Sequence, residues 1–371
     1  MNSHPVRAAV AATALTAVSM AGGLAACGTG HGTAGASASA AGRGGFAIGL
    51  LLPDTHTARW ARSDKPLIER KIRQLCGDCS VDYANASADV ATQQQQMDSM
   101  IANGVRVVIL DPVDYEALRS SVVKAHDAHV PVVSYDRLAE GPISAYSSYD
   151  SVQIGRIQGQ ALLTALSHKG HDAQIVMVNG DPTDPNTLAL QKGALSVLKG
   201  KVRIGRSYYA TGWIPQNAFS EMSAAIAELG PGGIDGVYSA NDGLASGIVA
   251  AFRAQGVQAV PPVTGQDADL AAVQRIVAGR QYVTVYKSFT AEADAAAEMA
   301  VALGRGESIG AIAKDTVSND TSKQIPAVLG ALVPVTVGTI KQTLVKSGVY
   351  TIGQICTPQF QPACRKAGLI G

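Results

Sequence analysis

The chain has 371 residues, enough for about two domains, and its 47% hydrophobic and 16% charged content builds a core and excludes disorder over most of its length. Thirty Lys and Arg stand against 29 Asp and Glu, a formal charge of +1, so there is no basic field to gather nucleic-acid phosphates. Arg7 is the sole charged residue of 1–26, and without that stretch the remaining chain is neutral.

Residues 8–26, AAVAATALTAVSMAGGLAA, are uncharged and dominated by Ala. Ala, Thr, Ser and Gly make a weak membrane span, and Gly22-Gly23 interrupts it, so 1–26 reads as a signal peptide. Leu24-Ala25-Ala26-Cys27 closes the stretch and resembles the lipobox of bacterial lipoproteins, in which Cys27 receives the lipid and becomes the new N-terminus. Sixteen of the eighteen residues 28–45 are Gly, Ala, Ser or Thr, a flexible tether with nothing to pack. The folded body is expected to start near Phe46. A lipid-anchored, extracytoplasmic location follows, on a Gram-positive cell whose membrane the chain meets through the anchor alone.

From Phe46 short apolar runs alternate with longer amphipathic ones. Strands are expected over 46–52, 81–86, 105–110, 130–136 and 145–149, then over 174–179, 202–209, 236–241, 261–266 and 283–287. Helices are expected near 60–75, 88–102, 114–128, 152–167, 187–198, 216–229, 243–255 and 268–278, with a last segment around 339–347. The alternation predicts βαβ units and parallel sheets, and ten strands exceed one five- or six-stranded sheet, so two α/β lobes are expected. Gly304 is read as a helix stop, and the Gln run 93–96 as a solvated helix surface. Besides Cys27 there are four cysteines. An even number in an exported chain predicts two disulfides; Cys76–Cys79 and Cys356–Cys364 are the simplest of three connectivities, and a zinc site built from the two pairs is the alternative.

Ligands of parallel α/β sheets bind beyond the carboxyl ends of the strands, where helix N-termini also point. Those ends carry Arg59 and Trp60, Asp136 and Arg137, Asp184 and Asn186, Trp213, Asn241, Asp267, and Lys287. Both tryptophans of the chain fall there, and an indole face suits the C–H face of a sugar ring. Carboxylate acceptors interleave with Arg, Asn and Lys donors, a set that fits a neutral polyol in a cleft between lobes. An anion would meet repelling carboxylates, and no phosphate-cradling GxxxxGK[ST] is present. Asp111, Asp136 and Asp242 have turn-forming or capping as an equal alternative. The seven His show no metal-ligand spacing, so neither metal nor cofactor is expected.

The segments RW at 59–60, SYDR at 134–137, DPTDPN at 181–186, TGWIPQNA at 211–218, SAND at 239–242, GQDADLA at 265–271 and TVYK at 284–287 resemble, in order, the D-xylose-binding branch of the type I periplasmic-binding-protein-like family. The chain departs from that branch at DTHTA before Arg59 and at Pro185. The resemblance implies two Rossmann-like lobes with parallel sheets joined by a three-strand hinge, and sugar contacts from the ten residues just named. It divides the chain into 1–26, 27–45, a first lobe of 46–150 plus about 287–325, a second of 151–286 plus about 326–350, and a disulfide-bearing tail at 351–371. A monomeric receptor is implied, not an enzyme, capturing a monosaccharide, D-xylose first, for an ABC permease and its ATPase. The alternatives are a receptor for another pentose or hexose that feeds a sensor without transport, and a glycoside hydrolase using Asp184 and Asp267.

Overall fold

The computed structural model describes residues 44–371, so the signal peptide, Cys27 and nearly all of the tether lie outside the described residues. The first half of the body alternates β1 (Ala47–Leu52), α1 (Lys65–Leu75), β2 (Ser80–Asn85), α2 (Val90–Ala102), β3 (Val107–Leu110), α3 (Arg119–Asp127), β4 (Val132–Tyr135) and β5 (Ala145–Ser148). The second continues with α4 (Ser151–Ala165), β6 (Gln174–Asn179), α5 (Pro185–Leu198), β7 (Arg203–Tyr209), α6 (Pro215–Leu229), β8 (Gly236–Ser239), α7 (Asp242–Ala254), α8 (Leu270–Val277) and β9 (Thr284–Lys287). The chain then returns through α9 (Phe289–Gly304), β10 (Asp315–Val317), β11 (Ile325–Leu329), β12 (Leu332–Val335), α10 (Ile352–Ile355) and α11 (Gln361–Lys366).

One sheet has the order β10-β11-β5-β4-β3-β1-β2, parallel except for β10. The inner strands β1 and β3 are apolar on both faces because both are covered: Ile48, Leu50 and Leu52 pack with α1 and α9 residues, and Leu51, Val108 and Leu110 pack with Met97, Met100 and Val122 of α2 and α3. The second half holds the parallel set β7-β6-β8 and the antiparallel pair β12-β9. The strand expected at 261–266 is reduced to one bridge, Val263 opposite Val237, because Pro261 and Pro262 have no N–H to give a ladder. Even so, Thr264 N donates to Val237 O and Val285 N to Gly265 O, so this segment links β8 to β9.

The chain passes between the halves three times: after β5, at Ser288 after β9, and at Gly330–Ala331 between β11 and β12. The passages are tied together, Tyr149 Oη donating to Ser288 O and Gly330 N to Ser148 O. The four body cysteines form two local disulfides, Cys76–Cys79 at the end of α1 and Cys356–Cys364 in the tail, which takes their sulfurs away from the alternative zinc site. The tail packs Ile355, Cys364 and Leu369 against Val273, Ile276 and Val277 of α8.

Two further expectations are corrected. Gln93 is fully buried: its Nε2 donates to Asp111 O at 2.8 Å and its Oε1 accepts from Val113 N at 2.7 Å, while Gln94 and Gln96 reach Ala117 O and Asn85 O. The run is therefore a loop brace that satisfies backbone groups beyond β3 and β2. Helix α9 runs through Gly304, and the left-handed turn falls at Gly306.

Candidate functional site

Five of the helices that follow strands are opened by side-chain caps, while α1, α3, α6 and α8 are not. Asp89 caps α2, Asp150 α4, Asp184 α5, Asn241 α7 and Ser288 α9, each accepting a hydrogen bond from a first-turn N–H. Strand ends and helix starts of both halves face a cavity between them, and all ten residues expected at the site line it.

The loop after β1 is set by Asp54, whose Oδ1 accepts from His56 N and Thr57 N and whose Oδ2 accepts from Trp60 Nε1 at 3.1 Å. A π-helical turn, Trp60–Asp64, then carries Arg59 back onto Asp64. Arg59 donates to Asp64 through Nε at 3.0 Å and Nη2 at 2.7 Å, to Glu292 at 2.6 Å and to Asp136 at 2.8 Å. Four of its five N–H hydrogens are thus spent within the protein. Its guanidinium lies 4.4 Å from the centre of the Trp60 ring and 4.2 Å from that of Phe289. Arg59 is a fixed cation, and its charge is the one around which this wall is built.

Asp136 follows β4 in a left-handed conformation, φ 53°, and does more than form a turn. Its Oδ2 faces Arg59 and lies 3.9 Å from Lys287 Nζ, and its Oδ1 accepts from Asn186 Nδ2 at 3.1 Å. Burial opposes its ionisation, but Arg59, Lys287 and Arg137 hold its carboxyl below the ordinary value. Arg137 donates to Pro112 O at 3.0 Å, and its Nε lies 3.0 Å from Asp184 Oδ2. Asp111 is wholly buried behind it, 3.6 Å away, and burial pushes that carboxyl well up despite Arg137.

On the opposite wall Pro185 occupies the first turn of α5, where a missing N–H costs nothing, so the departure from the family pattern serves the helix start. Asp184 caps that helix and accepts from Trp213 Nε1 at 3.1 Å; burial pushes its carboxyl up to about 6 in spite of Arg137. Asn186 accepts from Ser151 Oγ at 2.9 Å while its amide N–H reaches Asp136, so it joins the halves. Trp213 sits after Gly212 with both residues at positive φ, held by Gly212 N donating to Asp181. The indole lies flat on Gly180: a Cβ there would meet three ring atoms at 2.0–2.5 Å. Asn241 Oδ1 accepts from Leu244 N, and Asp267, φ 96°, pairs with Lys287 Nζ at 3.0 Å. Burial lowers the affinity of Lys287 for its proton, but Asp267 and Asp136 outweigh it and raise its pKa.

Sequence reasoning missed the deep carboxylates Asp64 and Glu292, and the wall residues Thr57, Ser148, Tyr149, Ser151, Ile154 and Gln266. Gln266 adjoins Asp267 and was open to the strand-end rule; Glu292 lies on a helix that follows a crossing and offered no such signal. Asp242 does not line the cavity.

What the arrangement can do is bind. Acceptors and donors alternate around two indoles, and the carboxylates are each engaged by a cation or an N–H. Residues 48–308 match the family described as periplasmic binding protein domain. The D-xylose-binding periplasmic protein of Escherichia coli (strain K12) is 33% identical over 309 residues, 82% of this chain and 90% of that protein. The multiple sugar-binding periplasmic receptor ChvE of Rhizobium radiobacter is 28% identical over 328 residues, 83% and 92% of the two chains. A crystal structure of an ABC transporter solute binding protein from Clostridium phytofermentans with bound β-D-glucose superposes with a TM-score of 0.77 at 28% identity, covering 83% of this chain and 99% of that one. A family match across most of the body, on a fold whose two parallel-sheet halves turn their strand ends to one cavity, makes this chain a member of the periplasmic binding protein family with the type I fold.

Proposed function

We propose that the chain is the extracytoplasmic receptor of an ABC importer and takes a neutral monosaccharide, D-xylose foremost, into the cavity between its halves. The observation that carries this reading is the cavity wall itself: Asp136, Asp184 and Asp267 alternate with Arg59, Arg137 and Lys287, with Trp60 and Trp213 among them. Three acceptors balanced by three cations suit hydroxyls, which donate and accept, and suit neither a phosphate nor a lone cation. The relatives' ligands are of the same chemistry: D-xylose, several sugars, and in a solved structure β-D-glucose.

The mechanism follows from the contacts between halves. Asn186 reaches Asp136, and Arg137 reaches Asp184, so groups from both walls meet around the ligand position. Closure on a sugar adds hydrogen bonds from both sides, and the closed shape is what a permease reads. No bond is broken, and Asp184 and Asp267 serve as acceptors, not as an acid and a nucleophile. Cys27 would carry the lipid that keeps the monomeric receptor at the membrane.

Calorimetric titration of the purified protein with D-xylose, D-ribose, L-arabinose, D-glucose and D-galactose tests the assignment. D-xylose is expected to bind most tightly; no heat with any of the five would refute the sugar reading, and a tighter hexose would refute the pentose. Cys27→Ala is expected to release the protein from cells into the medium, and membrane retention would refute the anchor.

A further inference from the structure

Asp242 is the last residue of the SAND segment. It adjoins the cavity residue Asn241 yet lies behind the wall, 1% exposed. Its carboxylate collects donors from three residues on two segments. Oδ2 accepts from Asp269 N at 3.0 Å and from Thr284 Oγ1 at 2.8 Å, and Oδ1 accepts from Gln281 Nε2 at 2.7 Å. Thr284 Oγ1 in turn accepts from Ala268 N at 3.0 Å. The two residues after Asp267 therefore hang from this one carboxylate, directly or through one hydroxyl. Arg275 closes the cluster, donating to Asp242 O and to Gln281 Oε1. The fit is close, since a Cβ on Gly265 would lie 2.1 Å from Asp242 Oδ1 and 2.5 Å from Gln281 Nε2.

The segment so held is one that does not hold itself. Asp267 and Ala268 are consecutive non-glycine residues at φ 96° and 55°, conformations that persist only where the surroundings enforce them. We propose that Asp242 is a positioning residue of the sugar site: by fixing the backbone after Asp267 it aims that carboxylate into the cavity against Lys287, 3.0 Å away. This rests on the reading of the cavity as a sugar site. Asp242 touches no ligand; it acts through Asp267.

The test is a double-mutant cycle read by tryptophan fluorescence on titration with D-xylose and D-glucose, with thermal melts alongside. Asp242→Asn puts an amide N–H2 against a donor, and Thr284→Val removes the hydroxyl relay; Asp267→Ala removes the aimed group. Asp242→Asn is expected to weaken binding roughly tenfold or more, the scale of a misdirected bond to a charged acceptor. In the Asp267→Ala background the same substitution should change affinity less than about twofold, the error of additive cycles. Thr284→Val should behave likewise with a smaller loss, and it carries the cycle if Asp242→Asn does not fold. Equal losses in both backgrounds, or a lowered melting temperature with unchanged affinity, would overturn the positioning role alone. Wild-type affinity in Asp267→Ala would overturn the site assignment, and this inference with it.

Discussion

Gly180→Ala places a single methyl under the Trp213 indole without touching the ligand position directly. The added Cβ would lie 2.0, 2.1 and 2.5 Å from three ring carbons. Carbon atoms rest at about 3.5–4.0 Å, so the ring has to move by roughly 1.5 Å. Gly180 is not at positive φ, so its backbone accepts alanine and the strain falls on the indole. A displaced ring gives up its bond to Asp184 and, on the proposed function, leaves the sugar face it would cover. A hydrogen bond to a charged acceptor is worth about 1.5–3 kcal/mol and aromatic packing about 1 kcal/mol, so affinity should fall by about 2–4 kcal/mol, roughly 30- to 1000-fold. Overpacking should cost about 1–3 kcal/mol of stability. The chain has two tryptophans, and both line the cavity, so emission reports on this site alone. A shifted emission maximum with weakened sugar binding is the expected result. Wild-type affinity with an unchanged spectrum would refute the claim that the indole position governs binding.

Arg59→Met should cost about 3–5 kcal/mol in urea unfolding, because it leaves Asp64, Glu292 and Asp136 buried around a vanished cation; a loss below about 1 kcal/mol would refute the network's role. Sugar affinity should be flat above pH 7 and fall below pH 6, since Asp184, raised to about 6 by burial, accepts a hydroxyl proton best when ionised. The same shift acts on folding with a defined sign: the native state holds this proton more tightly than the unfolded chain at about 3.9, so its contribution is full below that value and lost as pH rises through 6. Asp184→Asn should abolish the affinity step between pH 5 and 7, and a step that persists would assign it elsewhere. Cys364→Ser opens a bridge between residues eight apart and should lower stability by about 2–3 kcal/mol, while unfolding at the wild-type urea midpoint would show the tail to be dispensable.

The sheets were legible because their inner strands are buried on both faces and therefore read as unbroken apolar runs, such as AIGLLL and VVIL, between helices closed by Gly. The segment 261–266, PPVTGQ, holds a strand's place in the alternation, yet two prolines deny it a ladder, and only the paired partner β8 reveals that it still bridges the sheet. Gln93 escaped because a run of four glutamines carries no phase: the helix turns one inward, and which one depends on the backbone carbonyl of Asp111 waiting there. Local pattern marks elements; it does not say which polar side chain will be asked to satisfy a loop.

The same distinction separates the cavity wall from its foundation. Arg59, Asp136, Asp184, Asp267 and their neighbours follow strand ends, and the rule that ligands sit at those ends finds them before any coordinates are known. Asp64 and Glu292 obey no such rule. Asp64 stands five residues from Arg59, a spacing that a regular helix turns away and a π-helical turn brings together. Glu292 shares an Ala-rich helix with Asp294 and Glu298, which pair at the surface with Lys71, and nothing in the spacing marks it as the acid that turns inward. Yet the wall depends on these two. Without them Arg59 would be free to swing toward any anion in the cleft; with them it is held bidentate by Asp64 and singly by Glu292 and, at the wall, by Asp136, leaving one N–H for a hydroxyl. A neutral ligand is thus favoured twice, by the balance of charge facing the cavity and by carboxylates behind it that already claim the cation.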